Sequence, residues 1–330
     1  MPPKVWFGAS QPTLGPASLE NAPANAGAFL RLGERACCHY DAPMAPPDAS
    51  RPPIQCSTGP FWAFELEAAM DALAEAGFTE IELMVTRDPA TQDADLPKKL
   101  ADERGLKIAS IHGPFLVITK SVWGMEPIEK IRRGVEMCKE VGATSYVVHP
   151  PYLWERDYAR WIGDDSEAFS AEHGVTVAVE TMYPKWVAGR RARAYRWLEP
   201  QALFDASPHI ALDTSHLTVA RQDILDAYKI LAPRLCHVHL SNNNGDGKDG
   251  HLEVDKGILP LDRFLEELRR TRYAGVVSLE LSVRRYIEKP TDLVGMLRRN
   301  REFVERHLYG ARKLEKGLPR EIEEAPARND

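Results

Sequence analysis

Residues 107–149 read KIASIHGPFLVITKSVWGMEPIEKIRRGVEMCKEVGATSYVVH. The stretch opens on a β-branched run, Lys107 to His112, and closes on a second, Thr144 to His149. Between them, PIEKIRRGVEMCKEVG repeats apolar residues every three to four positions and stops at Gly142, which predicts an amphipathic helix with a glycine end. A strand, a helix and a second strand in this order make a unit whose strands run parallel. Both strands finish on a histidine.

The same alternation continues in both directions. Strand-like runs are Ile54 to Thr58, Glu80 to Val85, Val175 to Glu180, Pro208 to Asp213, Leu235 to Leu240 and Val276 to Leu281. Helical patterns include FELEAAMDALAEAG, LDRFLEELRRTRYAG and TDLVGMLRRNREFVERHL. Successive runs start between 26 and 41 residues apart, one strand–helix unit each, which leaves no room for a separate large domain. Eight such units are the count that closes a (β/α)8 TIM barrel, and about 250 residues suffice for one. An open doubly wound sheet is the alternative, but no Gly-x-Gly-x-x-Gly follows the first run, which disfavours its dinucleotide-binding version. The expectation is therefore an α/β chain with one barrel domain over residues 52–307. Residues 1–51, rich in Pro, Ala, Gly and Ser without periodicity, are expected to form a disordered or irregular extension, and 308–330 a charged tail.

Composition narrows the function classes. With 44% hydrophobic and 27% charged residues and no run near the ~20 apolar residues of a membrane span, the chain has the make-up of a soluble globular protein. Its five cysteines are scattered and include no Cys-x-x-Cys, so neither a disulfide framework nor a zinc–thiolate site is expected. No charged stretch followed by an apolar one opens the chain, so a cytoplasmic setting is expected. The net charge of −6 argues against a partner held by phosphate neutralisation, and nucleic acid is not expected.

In a barrel of this kind the C-terminal strand ends form the active face. Six consecutive runs end in potential metal ligands: His112, His149, Glu180, Asp213 with His216 one turn later, His239, and Glu280. Taken singly, each fits a packed or hydrogen-bonded residue. Together they would carry heavy desolvation costs unless paired or bound to a cation. LCHVHLSNNNGDGKDGHL, residues 235–252, adds Asp249 and His251. The strand period puts His237 on the same face as His239 but one layer deeper, which makes His239 the ligand candidate. The Asn- and Gly-rich turn after it is expected to be flexible and to bring Asp249 and His251 over the mouth.

IHGPF (111–115), VVHPPY (147–152), VAVETM (177–182), LDTSHL (212–217), HVHLSNNN (237–244), DGHLEVDKG (249–257) and SLELS (278–282) together resemble the xylose isomerase-like barrel superfamily over roughly residues 52–307. That superfamily holds sugar and sugar-phosphate isomerases and epimerases, inosose dehydratases and endonuclease IV-type apurinic-site nucleases. Its isomerase and epimerase branch implies one divalent cation held by Glu180, Asp213, His239 and Glu280. The nuclease branch implies a trinuclear zinc site that also recruits His112, His149, His216, Asp249 and His251. His112, His149 and His251 equally fit pocket lining or substrate hydrogen bonding, and the epimerase pattern gives His216 a substrate-binding place. Epimerases of ketoses commonly carry an Arg shortly after the seventh-strand histidine. Here the region reads NNNGDGKDG, which keeps a dehydratase or a different polyol open.

The chemistry expected is proton transfer next to a carbonyl through a metal-stabilised enediolate, on a sugar, sugar phosphate or polyol. Glu180 and Glu280, from the fifth and eighth runs on roughly opposite sides of the mouth, would serve as base and acid. Oxygen-rich ligation favours Mn²⁺ or Mg²⁺, with Zn²⁺ as the alternative. Phe61, Trp62, Phe115, Trp123, Trp154 and Trp186 fall near these loops and could wall the sugar or simply pack. Only PKWVAGRRARAYRW, after the fifth run, is strongly basic. Arg190, Arg191, Arg193 and Arg196 could meet a phosphate or carboxylate, or form the solvated face of a helix. Since patterned sequence begins just past Met44, a chain starting there is expected to keep the activity of the whole. Loss of activity would place the extension inside the functional unit.

Overall fold

A computed structural model describes residues 51–187, 190–287 and 292–310. The extension over 1–51, apart from Arg51, and the tail beyond 310 lie outside the described residues, as do the side chains of Trp186, Val187, Arg190 and Arg191.

The chain order is β1 (Ile54–Ser57), α1 (Leu66–Glu75), β2 (Glu80–Met84), α2 (Asp95–Glu103), β3 (Lys107–His112), α3 (Pro127–Val141), β4 (Ser145–Val148), α4 (Arg156–Asp164), α5 (Ser166–His173) and β5 (Thr176–Glu180). It continues with β6 (Lys185–Val187), β7 (Arg190–Ala192), α6 (Pro200–Ala206), β8 (Ile210–Asp213), α7 (Thr214–Val219), α8 (Ile224–Leu231), β9 (Leu235–Leu240), α9 (Leu261–Arg270), β10 (Val276–Leu279) and α10 (Leu293–Tyr309). Eight strands close in the order β1-β10-β9-β8-β5-β4-β3-β2, every neighbouring pair parallel. The expected (β/α)8 barrel is the architecture found. No helix among the described residues is long and apolar enough to cross a membrane.

The strands bury their two faces differently. Outward residues such as Ile81, Leu83, Ile111, Val148 and Val179 join the helices in one large apolar cluster. Inside the barrel only a small separate apolar cluster, Val147, Ala178 and Ala211, is present, with Cys236 against it. Bulky branched residues usually fill this space. Here the buried Ser110, Ser145 and Ser278 leave room for larger polar side chains from β2 and β9. Register shifts between Ile81 and Glu82, and between Ile210 and Ala211, bring Glu82 level with Ser110 and Asp213 level with His239. Such irregularities re-aim the side chains that follow them, and both lie early in their strands, ahead of the ends that form the mouth.

The helices hold the loops. On α3, the buried Lys130 donates to the carbonyls of Pro114, Thr119 and Lys120 at 3.1, 3.3 and 2.7 Å, pinning the loop that follows β3. Gly134 of the same helix faces the fully buried Tyr146, and a Cβ there would fall 2.1 Å from its ring.

One expectation is corrected here. The basic segment after β5 is not a charged helix face but an antiparallel hairpin, β6 against β7. Trp and Val beside Arg in KWV and RRA suit extended backbone better than a helix. The segment then folds onto the loop after β4, where Tyr152 and Tyr195 bridge, stack at 4.6 Å and bring their hydroxyls within 3.2 Å. Arg193 Nε and Arg196 Nη2 donate to the carbonyls of Tyr195 and Leu153.

Candidate metal centre

The barrel delivers all nine candidate ligands to one mouth. His112, Glu180, Asp213 and His239 come from the ends of β3, β5, β8 and β9; His149 and Glu280 sit one residue past β4 and β10. His216 is on α7, whose start is capped by Asp213: Asp213 Oδ1 accepts the His216 amide at 2.7 Å. Apart from Asp249 and His251, which are half-buried, these residues are buried.

Glu180 is the hub. Its Oε1 lies 2.6 Å from His239 Nδ1 and 3.6 Å from His216 Nδ1; its Oε2 lies 3.3 Å from His149 Nε2 and 3.5 Å from His112 Nε2. Glu280 Oε2 is 3.5 Å from the same His239 Nδ1. Ligand atoms of Glu180, Asp213, His239 and Glu280 all lie within 4.8 Å of one another, and those of His112, His149 and Glu180 form an adjoining group. Asp249 gathers the rest: its Oδ2 is 3.2 Å from His216 Nε2 and 3.0 Å from His251 Nε2, while Ser215 Oγ and the Tyr183 hydroxyl donate to its carboxylate. Glu180 and Glu280 come from strands three places apart in the ring of eight, and both carboxylates converge on His239.

Hydrogen bonds behind the ring set its orientation. His112 Nδ1 lies 2.9 Å from the Gly113 carbonyl and His216 Nδ1 2.9 Å from that of Thr181. A carbonyl only accepts, so Nδ1 carries the proton and Nε2 of a neutral ring keeps its lone pair for a ligand. The loop after β9 is tied by side-chain hydrogen bonds at several points. Asn242 pairs with Leu252 through its backbone, and its side chain bonds Val254 and Leu259; Asn243 bonds Ser215, Lys248 and Gly245. His251 sits at φ 42°, held by its carbonyl accepting from Ser282 N at 2.7 Å. Non-glycine residues rarely keep that conformation without such constraints.

Glu82 escaped the sequence reading. It lies in mid-strand, fully buried, with Oε2 3.2 Å from His239 Nε2, 2.9 Å from His237 Nε2 and 3.3 Å from Ser110 Oγ. The His237 contact lacks hydrogen-bond geometry; the His239 contact has it. His239 thus donates Nε2–H downward and turns Nδ1 up toward Glu180 and Glu280. The available signal was a carboxylate inside the apolar run EIELMV, on the face shared with the mouth. Of the expected aromatic wall, Trp123 instead packs under Arg133 and donates to Gln92, whereas Phe115 lies 6.4 Å from the His149 ring. Tyr195, not anticipated, meets that ring edge-on at 6.0 Å.

Burial would raise the Glu180 carboxyl, but His216, His239, His112 and His149 outweigh it and hold the group well below the usual range. Asp213 goes the other way, pushed up to about 6 by burial and by Glu180 and Glu280 against the pull of His216 and His251. Burial depresses every histidine here, and in His149 it wins. In His239 the carboxylates of Glu82 and Glu180 overcome it; in His216 those of Asp213, Asp249 and Glu180 do, and Asp249 lifts His251 to about 10. Protons therefore carry the positive charge that balances these carboxylates. Asp213 Oδ2 is buried without any hydrogen-bond partner, 4.0 Å from His239 Nδ1 and from His216 Nδ1. An acceptor left orphaned beside three more ligand atoms suits a cation, and the donor set could hold one. The ring opens into a cavity of about 240 Å³ edged by Trp62, Leu116 and Ser282.

Against known proteins, the profile of the family described as xylose isomerase-like TIM barrel matches residues 70–306. An uncharacterised protein of Mycobacterium tuberculosis is 32% identical over 278 residues, covering 78% of this chain and 99% of its own. A D-psicose 3-epimerase of Enterocloster bolteae is 23% identical over 244 residues, 66% of this chain and 77% of its own. Among solved structures, a D-tagatose 3-epimerase-like protein superposes with a TM-score of 0.57 at 21% identity over 77% of this chain and 98% of its own. A D-allulose 3-epimerase from Methylomonas sp. in complex with D-allulose does so with a TM-score of 0.55 at 16% identity, over 78% and 97%.

Two outcomes are expected of this centre. A divalent cation between Glu180, Asp213, His239 and Glu280 must displace the proton that the carboxylates of Glu82 and Glu180 help His239 to hold, so binding releases protons and strengthens as pH rises. Below about pH 6, where Asp213 also takes a proton, affinity falls more steeply. Calorimetric titration in buffers of different ionisation heat measures this, and a buffer-independent heat would contradict it. Glu82→Gln, which weakens the acceptor beneath His239, is expected to cost about 10–100-fold in cation affinity; unchanged affinity would mean His239 is oriented without Glu82.

Proposed function

Since the chain belongs to the xylose isomerase-like TIM barrel family, we propose that it is a divalent-metal-dependent isomerase or epimerase of a sugar or polyol, with Glu180, Asp213, His239 and Glu280 as its metal ligands. The observation that carries the proposal is the four-residue set closing around a buried, partnerless Asp213 oxygen, with two of the four, Glu180 and Glu280, lining an open cavity. That cavity is smaller than the about 300–1,000 Å³ of most ligand pockets, which fits a small polar substrate. Sugar 3-epimerases among the relatives and fold neighbours support the substrate class.

The cation, when bound, supplies Lewis acidity that stabilises negative charge developing on substrate oxygens. Glu180 and Glu280 do the proton work. One carboxylate takes the proton from the carbon beside the carbonyl, the electron pair of the broken C–H bond moves toward the carbonyl oxygen, and the other returns a proton to form the new C–H bond. Return to the opposite face gives an epimer. Their approach to a common imidazole lets both reach one small substrate. His216 and His251, oriented by Thr181 and Ser241, would hold substrate hydroxyls on the Asp249 side.

A second reading has its own support. His112 and His149 share Glu180 Oε2, and His216 and His251 share Asp249 Oδ2, so the nine residues form three adjoining groups around one mouth. Three cations there would suit a phosphodiesterase of the nuclease branch. Elemental analysis separates the two: one Mn²⁺ or Mg²⁺ per chain supports the epimerase, about three zincs the nuclease. In a panel of ketoses and keto-polyols in deuterated solvent, Glu180→Gln and Glu280→Gln are each expected to cut deuterium incorporation by about 10²–10⁴-fold. Full exchange in either variant would remove that residue from the acid–base pair.

A further inference from the structure

A second cavity of about 260 Å³ lies beside the metal mouth, and its chemistry is opposite. Its floor is Phe61, Ala69 and Val85, all buried; its rim carries Trp62 and Ile118, 71% and 63% exposed. Apolar side chains of that size scattered singly need no explanation, but gathered on the rim of one hollow they mark a binding surface.

The two cavities are neighbours in the strict sense: Gly59, Trp62, Met84 and Leu116 line both. Met84, at the end of β2, is the partition. Its thioether fills the space where a Cβ at Gly59 would sit, 2.6 Å from Sδ and from Cε, so the glycine exists to let this side chain lie between the hollows. Methionine is the most adaptable apolar side chain, and a partition made of it can yield. Two charged residues, Arg87 and Asp88, also line this cavity, and Asp88 is engaged in capping the turn after β2 through the Ala90 amide. A plain hexose at the metal mouth would leave this apolar volume unused.

We propose that the substrate carries an apolar alkyl or aryl group beside its hydroxylated reacting end, and that this group seats in the second cavity while the polar end meets the metal mouth. The proposal rests on the reading of that mouth as the reaction site. At about 30 Å³ per water-sized group the cavity has room for about eight such groups, enough for a short alkyl chain or one aromatic ring. Each buried methylene contributes about 0.8 kcal/mol, or about fourfold in affinity.

The test uses 1,2-alkanediols and 1-alkanols from three to seven carbons as probes, read on the ¹³C-methyl resonance of Met84 in methionine-labelled protein, with and without Mg²⁺. Diol affinity is expected to rise about three- to fourfold per methylene and to strengthen with Mg²⁺. Alkanols should show the same ladder without the Mg²⁺ effect. Ala69→Leu, which fills the floor, should abolish both ladders; should it fail to fold, Ile118→Trp does the same from an exposed rim position. Absence of a ladder overturns the proposal. So does a diol ladder indifferent to Mg²⁺ that calorimetry shows to be bound, which would make the hollow independent of the reaction site, and so does a Met84 shift that follows protein concentration together with a dimer in sedimentation, which would make the occupant a second copy. Calorimetric Mg²⁺ titration without probes is read separately. Its failure would count against the metal-dependent reading, while the alkanol ladder would still report the cavity.

Discussion

A carboxylate that water cannot reach must be matched by positive charge or be neutral, and Glu180 at the barrel mouth is matched on every side. Four imidazoles approach its two oxygens, from β3, the residue after β4, α7 and β9. The elements meeting there are fixed by the closed sheet, so the balance depends on barrel geometry, not on any single loop. Remove the charge from one side and the rest are left buried and unmatched. Protons can supply that positive charge, and a divalent cation supplies it with fixed direction and with Lewis acidity. The orphaned Asp213 oxygen marks where the proton solution is incomplete.

The same constraint reaches downward into the barrel. Space usually taken by branched aliphatics is given to Glu82 and His237, cushioned by serines and alanines. Glu82 is itself buried and is held ionised because His239 and His237 outweigh the cost of burial. Its use is to accept from the lower nitrogen of His239, so that the upper nitrogen faces the mouth. A polar interior is an expensive way to fill a barrel, and the orientation of one imidazole gives it a purpose.

Most of the fold could be read directly from residues 107–149 and their repeats, because a strand period switching to a helical period at regular intervals admits few topologies. The ring of candidate ligands was legible for the same reason: strand ends can be counted, and the barrel turns chain position into place around a mouth. What sequence could not supply was depth and pairing. Glu82 lies in mid-strand, level with Ser110 past a register shift, and it meets His239 across 157 residues of sequence. The asparagines after β9 suggested looseness by composition, yet the side chains of Asn242 and Asn243 each bridge several groups of the loop and its neighbours. The basic segment after β5 read as a helix face because charge runs usually are, whereas its pairing partner was its own neighbour two residues on. Tyr152 and Tyr195 are 43 residues apart in sequence and stacked in space, a contact no local pattern encodes.

The central claim is that Glu180, Asp213, His239 and Glu280 hold a divalent cation. Anomalous scattering from crystals grown with Mn²⁺ tests it most directly. The account expects a strong peak bounded by these four side chains, within bonding distance of Asp213 Oδ2 and His239 Nδ1. A map with no peak there, or with peaks only at groups that exclude Asp213, would contradict it.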